Sequence, residues 1–350
     1  MVVNATKIIL DRENLFHNMD FLKRRSKGKK ILPIVKANAY GHGMDEIVGL
    51  LYEYGQREFA VARYLEGERI RKMGYEDVRV LVFESIGNLD LVKDKPQLDI
   101  TANTLDELKE ILAYGISPDR IQIKIDLGFG RNGIFVSEVD KLKEIIDNEK
   151  GKFRGLYSHL FTVEYDDGFE YIEKFNKVVE KLGKDRFEMI HLQNTPATLS
   201  YGCDYVTHVR SGMGVYGLHN DGFYERNYRQ VFSLETQIAG VKDLEDSKYI
   251  AYRLRKDEID DEVKYIGKIK IGYGDGFLKS NEGSTCLIGN KEYKILQVTM
   301  DNTFLKVDSR VKEGDKVQLY YNVPYSTQHN DMPIYQLLSI LSPRIEREIK

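Results

Sequence analysis

The chain has 350 residues, enough for two domains, and its 42% hydrophobic and 31% charged content is ordinary for a globular protein. A net charge of −3 gives no reason to expect a nucleic acid or an anionic membrane as partner, and no apolar run approaches the length of a membrane span. Two cysteines, Cys203 and Cys286, make no disulfide framework, and scattered histidines predict no metal site. Without a recognisable signal peptide, we expect a cytoplasmic protein.

The first apolar run, Ile31–Val35, has the length of a buried strand and leads directly into Lys36. The neighbours of Lys36 are apolar or small, so its charge would be poorly solvated. Desolvation lowers the pKa of a lysine and favours the neutral amine, which can attack a carbonyl group. Tyr40 and the glycines after it suit the close approach of an anion. A lysine at a strand end is more often structural, so this pattern alone leaves both interpretations open.

Short β-rich runs alternate with amphipathic helical stretches over the first 220 residues. The predicted strands are Ile31–Val35, Phe59–Ala62, Val78–Phe83, Leu98–Thr101, Ile121–Ile125, Phe153–Ser158, Phe187–His191 and Tyr205–Val209. The predicted helices include Leu65–Met73, Thr104–Tyr114, Ser137–Asn148 and Gly168–Leu182. Alternating βα units predict a parallel sheet, and eight of them fit a closed (β/α)₈ barrel of the TIM type. An open, doubly wound sheet is the alternative, but the glycine-rich phosphate turn that would support it is not found after the first strand.

After residue 220 the pattern changes to strands joined by tight turns, without long helices. We expect strands at Val231–Val241, Lys264–Ile271, Ser284–Leu287, Tyr293–Gln297, Phe304–Val307 and Lys316–Tyr321. This predicts a first domain of residues 1–222 and a mostly β domain of residues 223–350, with the boundary within His219–Tyr228. The strand-like start of the chain, Thr6–Leu10, is a candidate to pair with the second domain.

Polar side chains recur at the carboxyl ends of the predicted barrel strands, where the active sites of such barrels lie. They are Lys36, Arg63, Glu84, Asn103, Lys124, Asp126, Arg131, His159, Asn194, Thr195 and Arg210. Each of them alone is as readily explained by a structural ion pair. Because such groups are costly to bury and all lie at one end, their joint placement predicts a charged pocket.

Nearly the whole chain resembles the alanine racemases, which use pyridoxal 5'-phosphate (PLP). The matching segments are Val35–Gly43, Phe59–Arg63, Lys124–Gly133, Ser158–Phe161, Val209–Gly217, Ile271–Phe277 and Met300–Asp301. The resemblance implies an isomerase that interconverts L- and D-alanine, and hence a source of D-alanine for cell wall precursors. It also implies a head-to-tail homodimer with shared active sites, in which the β domain of one subunit completes the site of the other.

The resemblance assigns roles to individual residues. Racemisation removes a proton from one face of the substrate and returns it on the other, so two groups on opposite sides are expected. Lys36, which would carry PLP as a Schiff base, is one, and Tyr273 is the other, with His159 as its partner. Arg210 would face the pyridine nitrogen and leave it unprotonated, because arginine keeps its own proton.

The remaining implied site residues bind the cofactor and the substrate. The implied cofactor contacts are Tyr40, His159, Asn194, Thr195, Gly212, Met213 and Tyr335. Arg131 would bind the substrate carboxylate, and Met300 would come from the other subunit together with Tyr273. In the family, a lysine at the position of Lys124 can be carbamylated, which would turn a cation beside Arg131 into an anion that orients it.

Several positions depart from the family pattern without removing a proposed catalytic group. They are Ser211, the charged insert Leu254–Glu262, Gly274 and Gln297–Thr299. These positions fall at the substrate entrance and the dimer interface, so serine or another small amino acid is an alternative substrate. A decarboxylase of the same architecture is a further alternative, but the surroundings of Cys286 do not resemble its catalytic cysteine motif. A PLP carrier protein without enzymatic activity, or an inactive racemase scaffold, would also be compatible with parts of the pattern.

Overall fold

Eight parallel strands of the first domain form a closed barrel with helices on its outside. The computed structural model describes residues 6–161, 165–201, 205–218, 225–245, 247–252, 254–259 and 263–350. In chain order, the first elements are β1 Lys7–Leu10, α1 Arg12–Arg25, β2 Lys30–Pro33, α2 Lys36–Tyr40, α3 Met44–Glu53, β3 Glu58–Val61, α4 Tyr64–Lys72, β4 Arg79–Val82, β5 Leu98–Ala102, α5 Leu105–Ala113, β6 Ile121–Asp126, β7 Ile134–Phe135, α6 Val139–Asn148, β8 Phe153–Tyr157, α7 Tyr165–Leu182, β9 Phe187–His191, α8 Thr195–Ser200, β10 His208–Ser211 and α9 Met213–Tyr216. Short 3₁₀ helices span Leu89–Leu91, Pro118–Arg120, Val136–Glu138 and Lys184–Arg186.

The barrel strands pair in the order β2-β10-β9-β8-β6-β5-β4-β3, and a parallel bridge between Ile34 and Ala60 closes the ring. The predicted fold class is therefore confirmed. Seven predicted strands lie within one or two residues of the observed ones. The eighth, predicted at Tyr205–Val209, is displaced toward the carboxyl side, because pairing with β2 starts only where His208 meets Lys30.

Local sequence explains these elements. β5 and β6 are buried along their whole length, as is typical of barrel strands that have a core on both faces. α1 and α5 carry side-chain caps at their amino ends: the Asp11 carboxylate accepts from the Asn14 amide, and the Thr104 hydroxyl accepts from the Glu107 amide. Each of these two caps fixes where its helix begins.

The second domain is a mostly antiparallel sheet with two short helices. Its elements are β11 Phe232–Asp243, β12 Tyr249–Ile250, β13 Leu254–Arg255, β14 Tyr265–Ile269, β15 Thr285–Ile288, β16 Lys291–Val298, β17 Thr303–Val307, β18 Lys316–Leu319, α10 Val323–Asn330, α11 Ile334–Ser339 and β19 Glu346–Ile349, with 3₁₀ helices at Lys256–Glu258, Tyr273–Asp275 and Lys279–Asn281. The sheet order is β14-β17-β16-β15-β18-β11-β1-β19, and β14 also pairs with β11. The strand at the start of the chain, β1, thus lies in this sheet, antiparallel to β11 and parallel to β19.

The sequence did not predict α10 and α11. Both are short, and α10 has almost no amphipathic pattern, so hydrophobic periodicity gave no signal. The capping residue Asn322, which accepts from the Tyr325 amide, and Pro324 in the first turn were the available signs. These helices position the site, because α11 packs against α2, the segment that carries Lys36.

Charged side chains at the amino ends of the barrel strands form a partly buried ion-pair cluster, the barrel-floor cluster. Its members are Glu58, Arg79, Asp99, Arg154, Glu188 and His208. Arg154 is central: it donates to Asp99 at 2.8 Å, to Glu188 at 2.9 Å and to Glu58. Burial alone would raise the pKa of Glu58, but its bonds to His208 and Arg154 lower that pKa to about 2. Glu58 is therefore charged at neutral pH, whereas burial raises the pKa of Asp99 despite its bonds to Arg154 and Arg79, so the cluster depends on its cations being present.

Replacing Arg154 by Met should remove the counter-ion that Asp99 and Glu58 share, and leave Asp99 with Arg79 and Glu58 with His208 as their remaining partners. We expect Arg154→Met to lower the free energy of unfolding by roughly 3–5 kcal/mol, measured by denaturant titration. Arg12→Met is the matched control, because the Arg12–Glu53 ion pair is exposed and its loss should cost less than about 1 kcal/mol. Equal effects of the two substitutions would show that the barrel-floor cluster adds no stability.

Candidate active site at the mouth of the barrel

Lys36 begins a turn that winds in the left-handed sense. Ala37, Asn38 and Ala39 have φ of 53°, 54° and 55° with ψ close to 50°, and Tyr40 has φ of 54°. Each L-residue in this conformation costs roughly 1–2 kcal/mol relative to a right-handed turn. Because four such residues follow one another, the surroundings must hold the turn in place. We call Lys36–Tyr40 the lysine turn.

The β domain supplies part of that support. A side chain at Gly41 would place its Cβ 1.9 Å from the backbone oxygen of Leu338, so the close approach of α11 requires glycine there. The Arg347 guanidinium donates to the Gly41 carbonyl at 3.0 Å. On the barrel side, the Asn38 side chain accepts from the Met44 amide at 3.0 Å. The lysine turn is thus clamped between the two domains.

The surroundings of Lys36 favour its neutral form. Partial burial is the largest cause that lowers the pKa of Lys36, and the nearby Arg131 lowers that pKa further. The carboxylates of Glu66 and Glu84 act in the opposite direction without reversing the shift. A lysine with a lowered pKa has more of the nucleophilic amine at neutral pH, as the sequence analysis expected for a residue that attacks a carbonyl.

Beside the lysine turn lies a small cradle of hydroxyl groups and backbone amides. A Cβ on Gly212 would lie 2.6 Å from the Tyr40 hydroxyl, so only glycine lets these segments approach. The Thr195 hydroxyl lies 3.1 Å from the Ser211 hydroxyl and accepts from the Gly214 amide. Burial raises the pKa of Tyr40 to about 12, so its hydroxyl keeps its proton and can donate. Donors at the starts of α8 and α9 suit a phosphate group.

Tyr335 and Asn194, two predicted cofactor contacts, relate to this cradle in different ways. Tyr335, on α11, lies close enough to Tyr40 to contribute to the raised pKa of that residue, so the β domain borders the cradle. Both ends of the Asn194 side chain are engaged by the protein itself. Its oxygen caps α8 by accepting from the Ala197 amide at 3.0 Å, and its nitrogen donates to the Leu160 carbonyl at 2.9 Å. Asn194 therefore shapes the cradle, and its predicted direct contact with a cofactor stays a prediction.

Arg210 is held rigidly below the mouth of the barrel. Its guanidinium donates to the carbonyls of Ser158 at 2.7 Å and Leu192 at 2.9 Å, and it lies 2.8 Å from Nδ1 of His191. Burial lowers the pKa of Arg210 to about 10, which still leaves it a cation at neutral pH. Arg210 is thus a fixed, charged hydrogen-bond donor that keeps its proton, as predicted from the sequence.

His159 lies next to Arg210 and is neutral. Its Nδ1 is 3.4 Å from the Arg210 guanidinium, which can only donate, so Nδ1 is the acceptor and Nε2 carries the proton. Burial, followed by the cations Arg210 and Arg131, lowers the pKa of His159 to about 3. His159 is therefore a hydrogen-bond donor through Nε2 and not a cationic acid.

Lys124 and Arg131 bring two more basic groups to the same region. Burial, with contributions from Arg131 and Arg210, lowers the pKa of Lys124 to about 8. Arg131 lies over the ring of Phe129, with its guanidinium carbon 4.8 Å from the ring centroid. Lys124 lies on β6, and Arg131 lies on the loop after it, which Asp126 anchors because its carboxylate accepts from the amides of Gly128, Phe129 and Gly130. The sequence placed Asp126 at this strand end, but it did not reveal that anchoring role.

Tyr273 and Met300 are neighbours on the β domain. The Tyr273 amide donates to the Thr299 carbonyl and the Gly274 amide to the Met300 carbonyl, so the two turns lie side by side. Both side chains are unusually open to solvent for their type, at 47% for Tyr273 and 56% for Met300. Within the described part of the chain, no hydrogen bond or ring contact joins the Tyr273 side chain to Lys36 or His159. One chain therefore brings together the lysine turn, the cradle and the basic groups, but it does not add Tyr273 to them.

Other chemistry has less support. Among the residues that the structure describes, no group of three His, Cys, Asp or Glu side chains is arranged to hold a metal ion. No helix in the described ranges combines the length and apolar character needed to cross a lipid bilayer. Cys286 is fully buried, and burial raises the pKa of its thiol to about 12, so it is a core residue without nucleophilic character. Cys203 lies outside the described residues.

The lowered pKa of Lys124 has a consequence for stability. Between about pH 8 and the ordinary lysine value of 10.5, the unfolded chain binds a proton that the folded chain lacks. The loss of folding stability that the charge of Lys124 causes is therefore complete below pH 8 and disappears as the pH rises to 10.5. In buffer free of carbon dioxide, we expect Lys124→Met to raise the free energy of unfolding at pH 7 by up to roughly 3 kcal/mol, an advantage that shrinks toward pH 10.5.

The exposed Lys152→Met serves as the control for this pH series and should show no such trend. Denaturant titrations at several pH values measure both variants. An advantage of Lys124→Met that stayed constant with pH would mean that Lys124 carries no desolvated charge in the folded protein.

A partly buried lysine turn at the mouth of a (β/α)₈ barrel, beside a cradle suited to phosphate, defines an enzyme site for a phosphorylated carbonyl cofactor. The profile of the alanine racemase N-terminal domain matches residues 10–220, and that of the alanine racemase C-terminal domain matches residues 231–349. The chain belongs to the alanine racemase family. The predictions of family and of enzyme class, an isomerase, are thereby confirmed.

Individual relatives agree over the full length. The chain is 28% identical to the alanine racemase of Fusobacterium nucleatum, with 98% of this chain and 99% of the relative covered. It superimposes on the alanine racemase of Clostridium difficile 630 with a TM-score of 0.86 at 22% identity, covering 100% of this chain and 97% of the other. A structure from Bartonella henselae, described as an alanine racemase with covalently bound pyridoxal phosphate, gives a TM-score of 0.84 at 19% identity, with 99% of both chains covered. At these identities the two superpositions establish the shared fold.

Proposed function

We propose that this protein is a PLP-dependent alanine racemase that works with two bases, Lys36 and Tyr273. The observation that carries the proposal is the lysine turn, which presents a partly desolvated amine beside the cradle formed with Gly212. Both features lie inside domains that match the alanine racemase family, and a relative of the same fold is described with covalently bound pyridoxal phosphate.

The residues at the barrel mouth fit PLP. The Tyr40 hydroxyl, Thr195 and the backbone at Gly212 and Met213 would hold the phosphate group, with Tyr335 beside them. Arg210 would donate to the ring nitrogen while keeping its own proton. When bound, PLP supplies an electron sink that acidifies the Cα–H bond of an amino acid.

The chain's own groups would then bind the substrate and move its proton. Arg131 can bind the substrate carboxylate through two parallel hydrogen bonds, supported by the ring of Phe129. Lys36, with its lowered pKa, is suited to take up and return a proton on one face of the substrate. Lys124 has a pKa low enough to leave a fraction of neutral amine, and only that form can react with carbon dioxide. This supports carbamylation, which would replace its repulsion of Arg131 by attraction.

The second face requires Tyr273, which we propose reaches the active site of a partner subunit. The solvent exposure of Tyr273 and Met300 supports this, because each would be covered in a homodimer with shared sites. The Nε2–H of His159 can donate to the Tyr273 oxygen and lower the pKa of a side chain that is otherwise a poor base. We further propose domains of residues 1–222 and 223–350, and a cytoplasmic enzyme that supplies D-alanine for cell wall precursors.

Serine or another small amino acid remains the alternative substrate, because the departures from the family pattern lie on the substrate side of the site. A decarboxylase is less well supported, since Cys286 is a buried core residue with a raised thiol pKa. An inactive scaffold would have no need for the strained lysine turn or for four basic groups at one end of the barrel.

The substitution Lys36→Ala tests the cofactor site. We expect a loss of alanine racemisation of roughly a thousandfold or more, together with loss of the visible absorption of lysine-bound PLP. A chiral assay of alanine and an absorption spectrum measure the two effects. Lys30→Ala, which changes an exposed lysine at the start of β2, should leave both unchanged. An unaltered spectrum of Lys36→Ala would contradict the assignment of Lys36.

Mixing two inactive variants tests the shared site. If Tyr273 acts in the partner's site, a heterodimer of Lys36→Ala and Tyr273→Phe has one site with both changes and one intact site. After random exchange of subunits, the mixture should recover about one quarter of the wild-type activity. Each variant alone should stay inactive. A mixture that remains inactive after demonstrated exchange would mean that Lys36 and Tyr273 of one subunit serve the same site.

A further inference from the structure

A second support of the lysine turn from the barrel side comes from the carboxylate of Glu66. Its Oε1 accepts from the amide of Ala37, the residue directly after Lys36, at 2.6 Å. Its Oε2 accepts from the amides of Ala62 and Arg63, both at 3.0 Å. One carboxylate thus accepts three hydrogen bonds from backbone N–H groups at the ends of two neighbouring barrel strands.

The bonds to Ala62 and Arg63 have an ordinary explanation. Glu66 is the third residue of α4, and a glutamate at this position commonly accepts from the capping residue, here Arg63. The bond to Ala37 is not part of a helix cap, because it crosses to the end of β2. Backbone pairing between β2 and β3 is otherwise limited. It consists of the Ile34–Ala60 bridge, where the Val35 amide donates to the Ala60 carbonyl at 2.9 Å.

We propose that Glu66 is a positioning residue for Lys36: its carboxylate fixes the left-handed conformation of the lysine turn, from which the amine extends. A carboxylate is suited to this role, because an anion that accepts backbone N–H groups makes stronger hydrogen bonds than a neutral acceptor does. Of the carboxylates that act on Lys36, that of Glu66 is the stronger, and it favours the protonated amine. The role of Lys36 in catalysis rests on the proposed function, but the link between Glu66 and Lys36 does not.

Two substitutions test separately the charge and the length of the Glu66 side chain. Glu66→Gln keeps the size of the side chain but removes the charge, and one of its two ends can no longer accept a hydrogen bond. Glu66→Asp keeps the charge but is too short to cap α4 and reach Ala37 at the same time. Glu68→Gln is the matched control on the same helix, because Glu68 pairs with Lys72 and Lys95 instead.

The first measurement is the reaction of the Lys36 amine with an amine-selective acylating reagent, followed across pH by peptide mass spectrometry on the full-length chain after removal of PLP. Without the Glu66 charge, the midpoint of labelling should move to lower pH. At neutral pH, Lys36 of Glu66→Gln should then be labelled roughly threefold to tenfold faster than in the wild type. Glu68→Gln should label Lys36 at the wild-type rate, and Glu66→Asp should keep a midpoint closer to that of the wild type.

The second measurement is alanine racemisation by the holoenzyme. Both Glu66 variants should lose kcat by roughly 10- to 100-fold with little change in KM, because a misplaced Lys36 harms proton transfer more than substrate binding. Folded variants with wild-type labelling and wild-type kcat would reduce Glu66 to a helix cap and overturn the proposal. Failure of both variants to fold would also overturn it, because the role would then be structural.

Failure of the proposed function can be told apart from these outcomes. If the wild type does not racemise alanine but Glu66→Gln still shifts the labelling of Lys36, the assigned reaction is wrong and the positioning role stands.

Discussion

The conformation of the lysine turn is the constraint on which the rest of the site depends. Four successive residues with positive φ are unfavourable for any chain of L-amino acids. The turn persists because it is held from three directions: by the Glu66 carboxylate at Ala37, by the Asn38 side chain at Met44, and by the packing of α11 onto Gly41. Two of these supports belong to the barrel and one to the β domain, so the site needs both domains of the chain to be folded together.

This constraint explains why the β domain is more than an addition to the barrel. Its helix α11 packs against the lysine turn and brings Tyr335 to the phosphate cradle. The segment that follows α11 contacts the turn that carries Tyr273. There, Arg344 bridges Asp275 and Asp301, which follow Tyr273 and Met300 in the chain. Residues that serve the chain's own site and residues proposed for a partner's site are thus connected through one short segment near the carboxyl end.

The charge distribution of the site follows from burial. Lys36, Lys124, Arg131 and Arg210 crowd the mouth of the barrel, and each lysine responds by a lowered pKa. His159 stays neutral for the same reason. A pocket of this kind attracts anions such as a phosphate or a carboxylate, and it keeps neutral amine available for proton transfer. The barrel-floor cluster at the other end has equal numbers of acids and bases around Arg154 and Arg79, so it serves stability instead.

Much of this could be predicted from the sequence. The alternation of β and α patterns gave the barrel, and Lys36, Arg131, His159 and Arg210 were found because reactive groups recur at strand ends. The left-handed turn could not be predicted, since Lys36–Tyr40 contains no glycine and tertiary contacts override local preference. The role of Glu66 could not be predicted, because its bond to Ala37 joins segments that are distant in the chain. Asn194 was noted as a polar residue at a strand end, and only its two hydrogen bonds reveal that it caps α8.

The most direct test of the central account is exchange of the α-proton in deuterated water, measured by NMR for the common amino acids in their L and D forms with PLP present. We predict that both enantiomers of alanine incorporate deuterium faster than any other amino acid, with inversion at Cα and no loss of the carboxyl group. Fastest exchange with serine would change the substrate and keep the mechanism. Absence of exchange with every amino acid, or release of carbon dioxide, would contradict the account.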